Sequence, residues 1–196
     1  MAQIKLNATY GLTGTLPAVS GANLTTLNAS NVSSGTLNAA RYTDTAGLTT
    51  ASQWRITSNF SGDASPVTNW EVGDTDGYGS LGSAMTESSG IFIFPSTGYW
   101  LISFYIQDQN DADDVNAIYD ITTTTDNSSY NRAARCNHGF TGGHYEVTSC
   151  QFLFDVTSTT NCKLRFDVTS HSSSNTVFSS SSENATYASF LKLGDT

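Results

Sequence analysis

Between residues 51 and 196 apolar and polar positions alternate in short runs separated by turn-forming residues. Trp54 and Ile56 alternate with Arg55 and Thr57, and comparable runs occupy 91–94, 99–106, 115–124, 145–156, 162–169 and 187–193. A period of two predicts strands, because successive side chains leave a strand on opposite faces. The runs at 145–156 and 162–169 read as a hairpin-like pair. With Gly, Ser and Asp between the runs and no 3.6-residue period, the region reads as an all-β sandwich or barrel.

Residues 1–50 follow another pattern. They contain no Trp, Phe, Cys or His and one acidic residue, Asp44, so they cannot build a core of their own. Ile4, Leu6, Ala8 and Tyr10 alternate with Gln3, Lys5, Asn7 and Thr9, which predicts one short strand. After it come sparse aliphatics in a Gly/Ser/Thr/Asn background: Leu12, Leu16, Val19, Leu24, Leu27, Val32 and Leu37. Composition alone reads as a polar linker. The regular return of a large aliphatic residue favours an extended arm wound with sister chains, and too few repeats are present for an isolated β-helix. The expected organisation is an arm over 1–50 and a β domain over 51–196.

Composition narrows the function classes. The 196 residues carry 17 acidic against 8 basic side chains, a net charge of −9. That balance repels phosphates, so no nucleic-acid partner is expected. Membrane insertion is not expected either, since no apolar run approaches the roughly 20 residues of a spanning helix. The first residues carry one Lys and no apolar stretch after it, so no secretory leader is expected. Ser, Thr and Asn make up about a third of the chain, so its polar surface rests on hydroxyls and amides.

Candidate chemistry is sparse. Cys136, Cys150 and Cys162 are odd in number and lack Cys-x-x-Cys spacing, which supports neither a disulfide framework nor a zinc site. Cys150 and Cys162 alternate in phase with neighbouring aromatics and read as buried thiols. His138, His144 and His171 read as loop histidines. Asp108, Asn110, Asp111, Asp113 and Asp114 form the densest run of oxygen ligands, with Asp108, Asp111 and Asp113 as candidates for a hard cation. Gly and Glu are missing where an EF-hand loop requires them, so a solvated acidic loop is expected, with no metal and no cofactor. No serine elbow or carboxylate pair stands out, and no catalytic residue is assigned.

Two resemblances follow from particular residues. Gly90, Phe92, Pro95 and Gly98, with Trp100 and Ile102 at the next aromatic positions, resemble the Gly-x-Phe-x-x-Pro-x-x-Gly-x-Tyr-x-Phe signature of C1q/TNF-like jelly rolls. The chain end, Ala188 to Leu193, resembles that family's closing strand. In this reading Pro95 and Gly98 turn the chain while Phe92, Trp100, Ile102 and Phe104 share a buried face. The low-complexity stretch from Gly11 to Thr25, with Asn28 to Arg41, is similar to segments of tailed-bacteriophage virion proteins.

The resemblances imply a homotrimeric, non-enzymatic virion protein: a capsid decoration or short head fibre on the virion surface, assembled in the bacterial cytoplasm. Its expected partners are itself and the major capsid protein or another virion protein. Ile4, Leu6, Tyr10, Leu12 and Leu16 would anchor the arm. Leu24, Leu27, Val32, Leu37, Tyr99, Leu101, Tyr105 and Phe190 would meet at the threefold contact, since the strand after Gly98 is apolar on both faces. The alternative is a tail-fibre tip adhesin holding a host surface glycan or protein through loops at 108–114 and 137–144. A depolymerase would show clustered carboxylates and a longer β-helix, and neither is visible.

Overall fold

A computed structural model describes residues 47–110, 113–141 and 143–196. Ile4, Leu6, Tyr10, Leu12, Leu16, Leu24, Leu27, Val32, Leu37 and Asp111 lie outside the described residues.

The alternating runs become antiparallel strands in two sheets. In chain order the strands are β1 (Thr50–Ile56), β2 (Phe60–Ser61), β3 (Trp70–Val72), β4 (Thr86–Ser88), β5 (Ile91–Ile93) and β6 (Gly98–Asn110). They continue as β7 (Asp114–Thr124), β8 (Asn131–Phe140), β9 (His144–Val156), β10 (Lys163–Thr169), β11 (Thr176–Val177) and β12 (Tyr187–Gly194). One sheet has the order β2-β11-β6-β12-β1-β3, with β9 on the other edge of β6, and the second has the order β4-β5-β10-β7-β8. Among the described residues no helix is long and apolar enough to cross a membrane.

Strand β6 shows why the sheets face each other. Trp100, Ile102, Phe104 and Ile106 share one face and are completely buried. They meet Phe92, Leu164 and Phe166 of the second sheet, which are equally buried. Phe92 sits at the centre, its ring centroid 5.4 Å from Trp54, 5.4 Å from Trp70, 5.5 Å from Phe166 and 5.1 Å from Phe190. Several of these pairs are edge-to-face, the arrangement favoured by the ring quadrupole.

The glycine-framed motif has a steric basis. Gly90 has φ +82°, and a Cβ there would lie 2.6 Å from the Val67 carbonyl oxygen. Gly98 has φ +135°, and a Cβ there would run into the Gly194 carbonyl oxygen and the Lys192 side chain. Between them Pro95 carries the chain from β5 in one sheet to β6 in the other, so the turn joins two sheets.

Three sequence expectations need correction. The runs at 145–156 and 162–169 do not pair: β9 pairs with β6, while β10 pairs with β5 and β7. A jelly roll exchanges sheets at this connection, and local spacing carries no sign of it. Phe190 is no contact residue, because its register against Ile102 turns it into the core, where it is completely buried. Residues 137–140 are the end of β8, so only 141–143 remain as a connection before β9.

The β7–β8 connection is held by one carboxylate. Asp126 accepts hydrogen bonds from the Ser129 and Ser128 backbone N–H groups at 2.7 and 2.8 Å and from the Thr124 hydroxyl at 2.8 Å. The Ser129 bond leads in holding its carboxyl well below the usual range. The stability it contributes is therefore full above the ordinary carboxylate pKa and lost as pH falls toward the depressed folded value. From about pH 4 downward, stability should fall more steeply in the natural chain than in Asp126→Asn, as measured by urea midpoints across pH. Phe92→Ala should cost about 3–5 kcal/mol in the same assay, because a ring ringed by four aromatics leaves a cavity that cannot collapse.

Candidate functional site

The β6 residues that alternate with the core face the other way. Tyr99, Leu101, Ser103 and Tyr105 oppose Asp155, Leu153, Gln151 and Ser149 of β9. On the opposite edge Leu101 and Tyr105 lie against Leu191 and Tyr187 of β12. Tyr99, Leu153, Val147, Tyr145 and Leu193 are exposed, while Leu101, Tyr105, Tyr187 and Leu191 are half-buried. The outer surface of this sheet is therefore aliphatic and aromatic across three neighbouring strands. A contiguous patch of this kind is the usual mark of an interaction surface.

Its centre is ordered by side chains. The Tyr105 and Tyr187 rings stack at 4.6 Å with 10° between their planes. Burial, with Tyr105 and Tyr78 nearby, raises the Tyr187 phenol above its ordinary pKa. Gln151 donates from Nε2 to the Ser103 hydroxyl at 3.1 Å, satisfying two polar groups inside the patch.

One end of the face is covered by the chain itself. Arg55 leaves β1 on the outer side, yet its side chain is fully buried. Its guanidinium donates to Glu71 at 2.8 Å, Asp74 at 2.7 Å, Thr75 at 3.0 Å and the Ser181 carbonyl at 2.5 Å, beneath the Tyr78 ring at 5.5 Å. A buried guanidinium is tolerable only when its donors are used, and here they tie the 71–78 segment and the 180–182 loop to β1. Alternation placed Arg55 outward correctly, but nothing local foretold its cover. Beside it an open cleft of about 390 Å³ is lined by Gln53, Asp76, Gly77, Tyr78 and Gly79.

Within the acidic run, Asp108 and Asp113 are not brought together. Asp108 continues the inward phase of Ile102, Phe104 and Ile106 and is completely buried. It accepts a hydrogen bond from the Tyr119 hydroxyl and pairs with His171 Nε2 at 2.8 Å. His138 Nε2 stands 3.4 Å from the Tyr119 hydroxyl, and Asp63 receives the His171 backbone N–H at 2.9 Å. Asp113 is exposed. Asp108 is thus no member of a solvated cation loop: the period that buries Ile106 buries it too. His171 lies in the loop after β10 as expected but is buried there as a partner, whereas His138 belongs to β8 and His144 opens β9, so those two are strand residues. Among the described residues no group of three or more His, Cys, Asp or Glu side chains is placed to hold a metal. Of the cysteines, Cys162 is buried, while Cys136 and Cys150 are half-buried.

No family model matches the chain. No curated protein is similar to it in sequence. Solved structures do resemble it. Murine APRIL in a crystal at pH 5.0 superposes with a TM-score of 0.56 at 13% identity, covering 74% of this chain and 98% of that one. Murine APRIL at pH 8.5 gives 0.54 at 12% identity over the same shares. Eiger TNF from S. frugiperda gives 0.51 at 13% identity, covering 74% of this chain and 93% of that one. At these identities the likeness carries fold alone. The class is an all-β, TNF-like jelly roll.

Asp108→Ala should lower stability by about 2–4 kcal/mol in chemical unfolding, because the Tyr119 hydroxyl and the His171 ring lose a buried partner. Chelator should leave the melting temperature of the natural chain unmoved; a drop of several degrees would place a cation at the acidic turn.

Proposed function

We propose that the protein is a non-enzymatic structural protein that works as a homotrimer on a virion, as a capsid decoration or short head fibre held by residues 1–50. The outer face of the β12-β6-β9 surface carries this reading. Tyr99, Leu101, Leu153, Tyr187 and Leu191 form a patch that solvent solvates poorly, and packing it against copies of itself removes that area from water. Tyr99, Leu101 and Tyr105 all lie on it, and Leu191 replaces Phe190 as the closing strand's contribution. The arm's likeness to phage virion segments supports the particle, and the recurring aliphatics of its sequence suit an anchor on another virion protein. The tail-fibre adhesin differs from this reading in where the protein sits on the particle.

The full chain should sediment as a trimer at micromolar concentration. Leu101→Asp should give monomers, while Thr97→Asp, at an exposed turn position, should leave the trimer intact. Deletion of residues 2–15 should leave a folded trimer that no longer binds particles. Monomeric natural chain would overturn the self-association, and full particle binding by the deletion would move the anchor elsewhere. Labelled antibody on the tail tip instead of the capsid would favour the adhesin.

A further inference from the structure

The two half-buried cysteines lie far apart in the strand order and close in space. Cys136 is in β8, the edge of one sheet, and Cys150 is in β9, the edge of the other. Cys136 is in register with Tyr119 and Cys150 with Phe104, and both of those partners face the core. The two thiols therefore point inward from the edge strands of the two sheets. Strands β8 and β9 lie against each other along this edge. Cys150 Sγ also lies 3.9 Å from the carbonyl oxygen of Tyr119, the residue paired with Cys136. Both pack on the rim of the core and keep some access to solvent. Cys162 is completely buried, with Sγ 3.9 Å from the Thr157 hydroxyl.

We propose that Cys136 and Cys150 are a redox pair that closes into a disulfide and staples the two sheets together at the β8/β9 edge. With Cys150 Sγ already against the residue paired with Cys136, closure asks the two sulfurs to approach to a bond of about 2.0 Å. The co-reactant is a low-molecular-weight disulfide such as oxidised glutathione. The Cys136 thiolate attacks one of its sulfurs, the S–S bond breaks and one glutathione leaves as thiolate. The Cys150 thiolate then attacks the Cys136 sulfur of the mixed disulfide and releases the second glutathione. Two protein thiols are oxidised, one small disulfide is reduced to two thiols, and the two cysteine protons end on the released glutathiones.

The order of attack follows from the contact. The hydrogen bond from Cys150 lowers the Cys136 thiol below its ordinary pKa, against burial and the nearby Asp120 carboxylate. The same bond and burial raise Cys150. Cys136 is therefore the first nucleophile. Closure ties off a short loop holding the end of β8 and the start of β9, which removes loop-closure entropy from the unfolded chain.

The test uses the full-length chain, reduced, freed of reductant and exposed to oxidised glutathione. Its intact mass should fall by about 2 Da, the loss of two hydrogens. Non-reducing peptide mapping should find Cys136 joined to Cys150 with Cys162 free. The melting temperature should rise by about 6–12 °C and return on reduction. Cys162→Ser should behave like the natural chain, whereas Cys150→Ser should keep one glutathione on Cys136 and show no rise. An unchanged mass, lasting adducts on both cysteines, a link through Cys162 or between chains, or a mapped link that leaves the melting temperature unmoved would each overturn the proposal.

Discussion

Over residues 99–106 strand β6 is apolar on both faces except at Ser103, and the rest of the described structure answers that constraint. Along one edge it pairs with β9, and along the other with β12 and then β11. Its inward residues, Trp100 to Ile106 in alternation, need a second sheet over them, and Phe92 and Phe166 bring one. A strand covered on one side only would normally alternate apolar with polar. Here Tyr99, Leu101 and Tyr105 take positions where polar residues would stand, and that exception is what the proposed self-association rests on.

What the sequence disclosed was whatever depends on neighbours along the chain. The strand runs, the turn between Gly90 and Gly98 and the all-β class are local, and the structure has them. Pairing is not local. The sheet change between β9 and β10 leaves no mark in either strand, so two adjacent runs read as a hairpin. Strand β8 escaped notice because Asn131 to Phe140 places Ala134, Cys136 and His138 where larger side chains would advertise a strand. Phe190 shows the limit of phase: Ala188 and Phe190 alternate with Ser189 and Leu191, and only the register with Ile102 decides which pair faces in. Asp108 was legible in principle, since counting by two from Ile102 reaches it, but an acidic residue beside other acidic residues read as solvated.

Two buried polar clusters anchor loops to the sandwich. Arg55 has four hydrogen-bond partners and an aromatic lid. Asp108 has Tyr119 and His171. Its second carboxylate oxygen and His171 Nδ1 are buried with no partner among the described residues. Both clusters join segments distant in sequence: Arg55 draws in 71–75 and Ser181, and Asp108 draws in β7 and the loop after β10. Their contribution is directional. Hydrophobic burial would tolerate several placements of these loops, whereas a guanidinium or a carboxylate with fixed donors and acceptors tolerates one.

The two outer faces of the sandwich differ in the same respect. On the sheet containing β7, β8 and β10, Arg135 clasps Asp120 at 2.7 Å, Arg165 meets Asp167 at 3.1 Å and stacks over the Tyr130 ring at 4.9 Å, and Arg132 is half exposed. Burying that face would strip water from several ions already paired at the surface, a cost that new contacts must first offset. The centre of the β12-β6-β9 face carries Leu101, Leu153, Leu191 and stacked tyrosines, with no ion among them to desolvate. In the trimer proposed here the ion-poor centre of this face, with Asp155 at its margin, meets its copies and the face rich in ion pairs stays in water. The outward Tyr99, Leu101 and Tyr105 of β6 thus also mark the side of the molecule that can associate at the smaller desolvation cost.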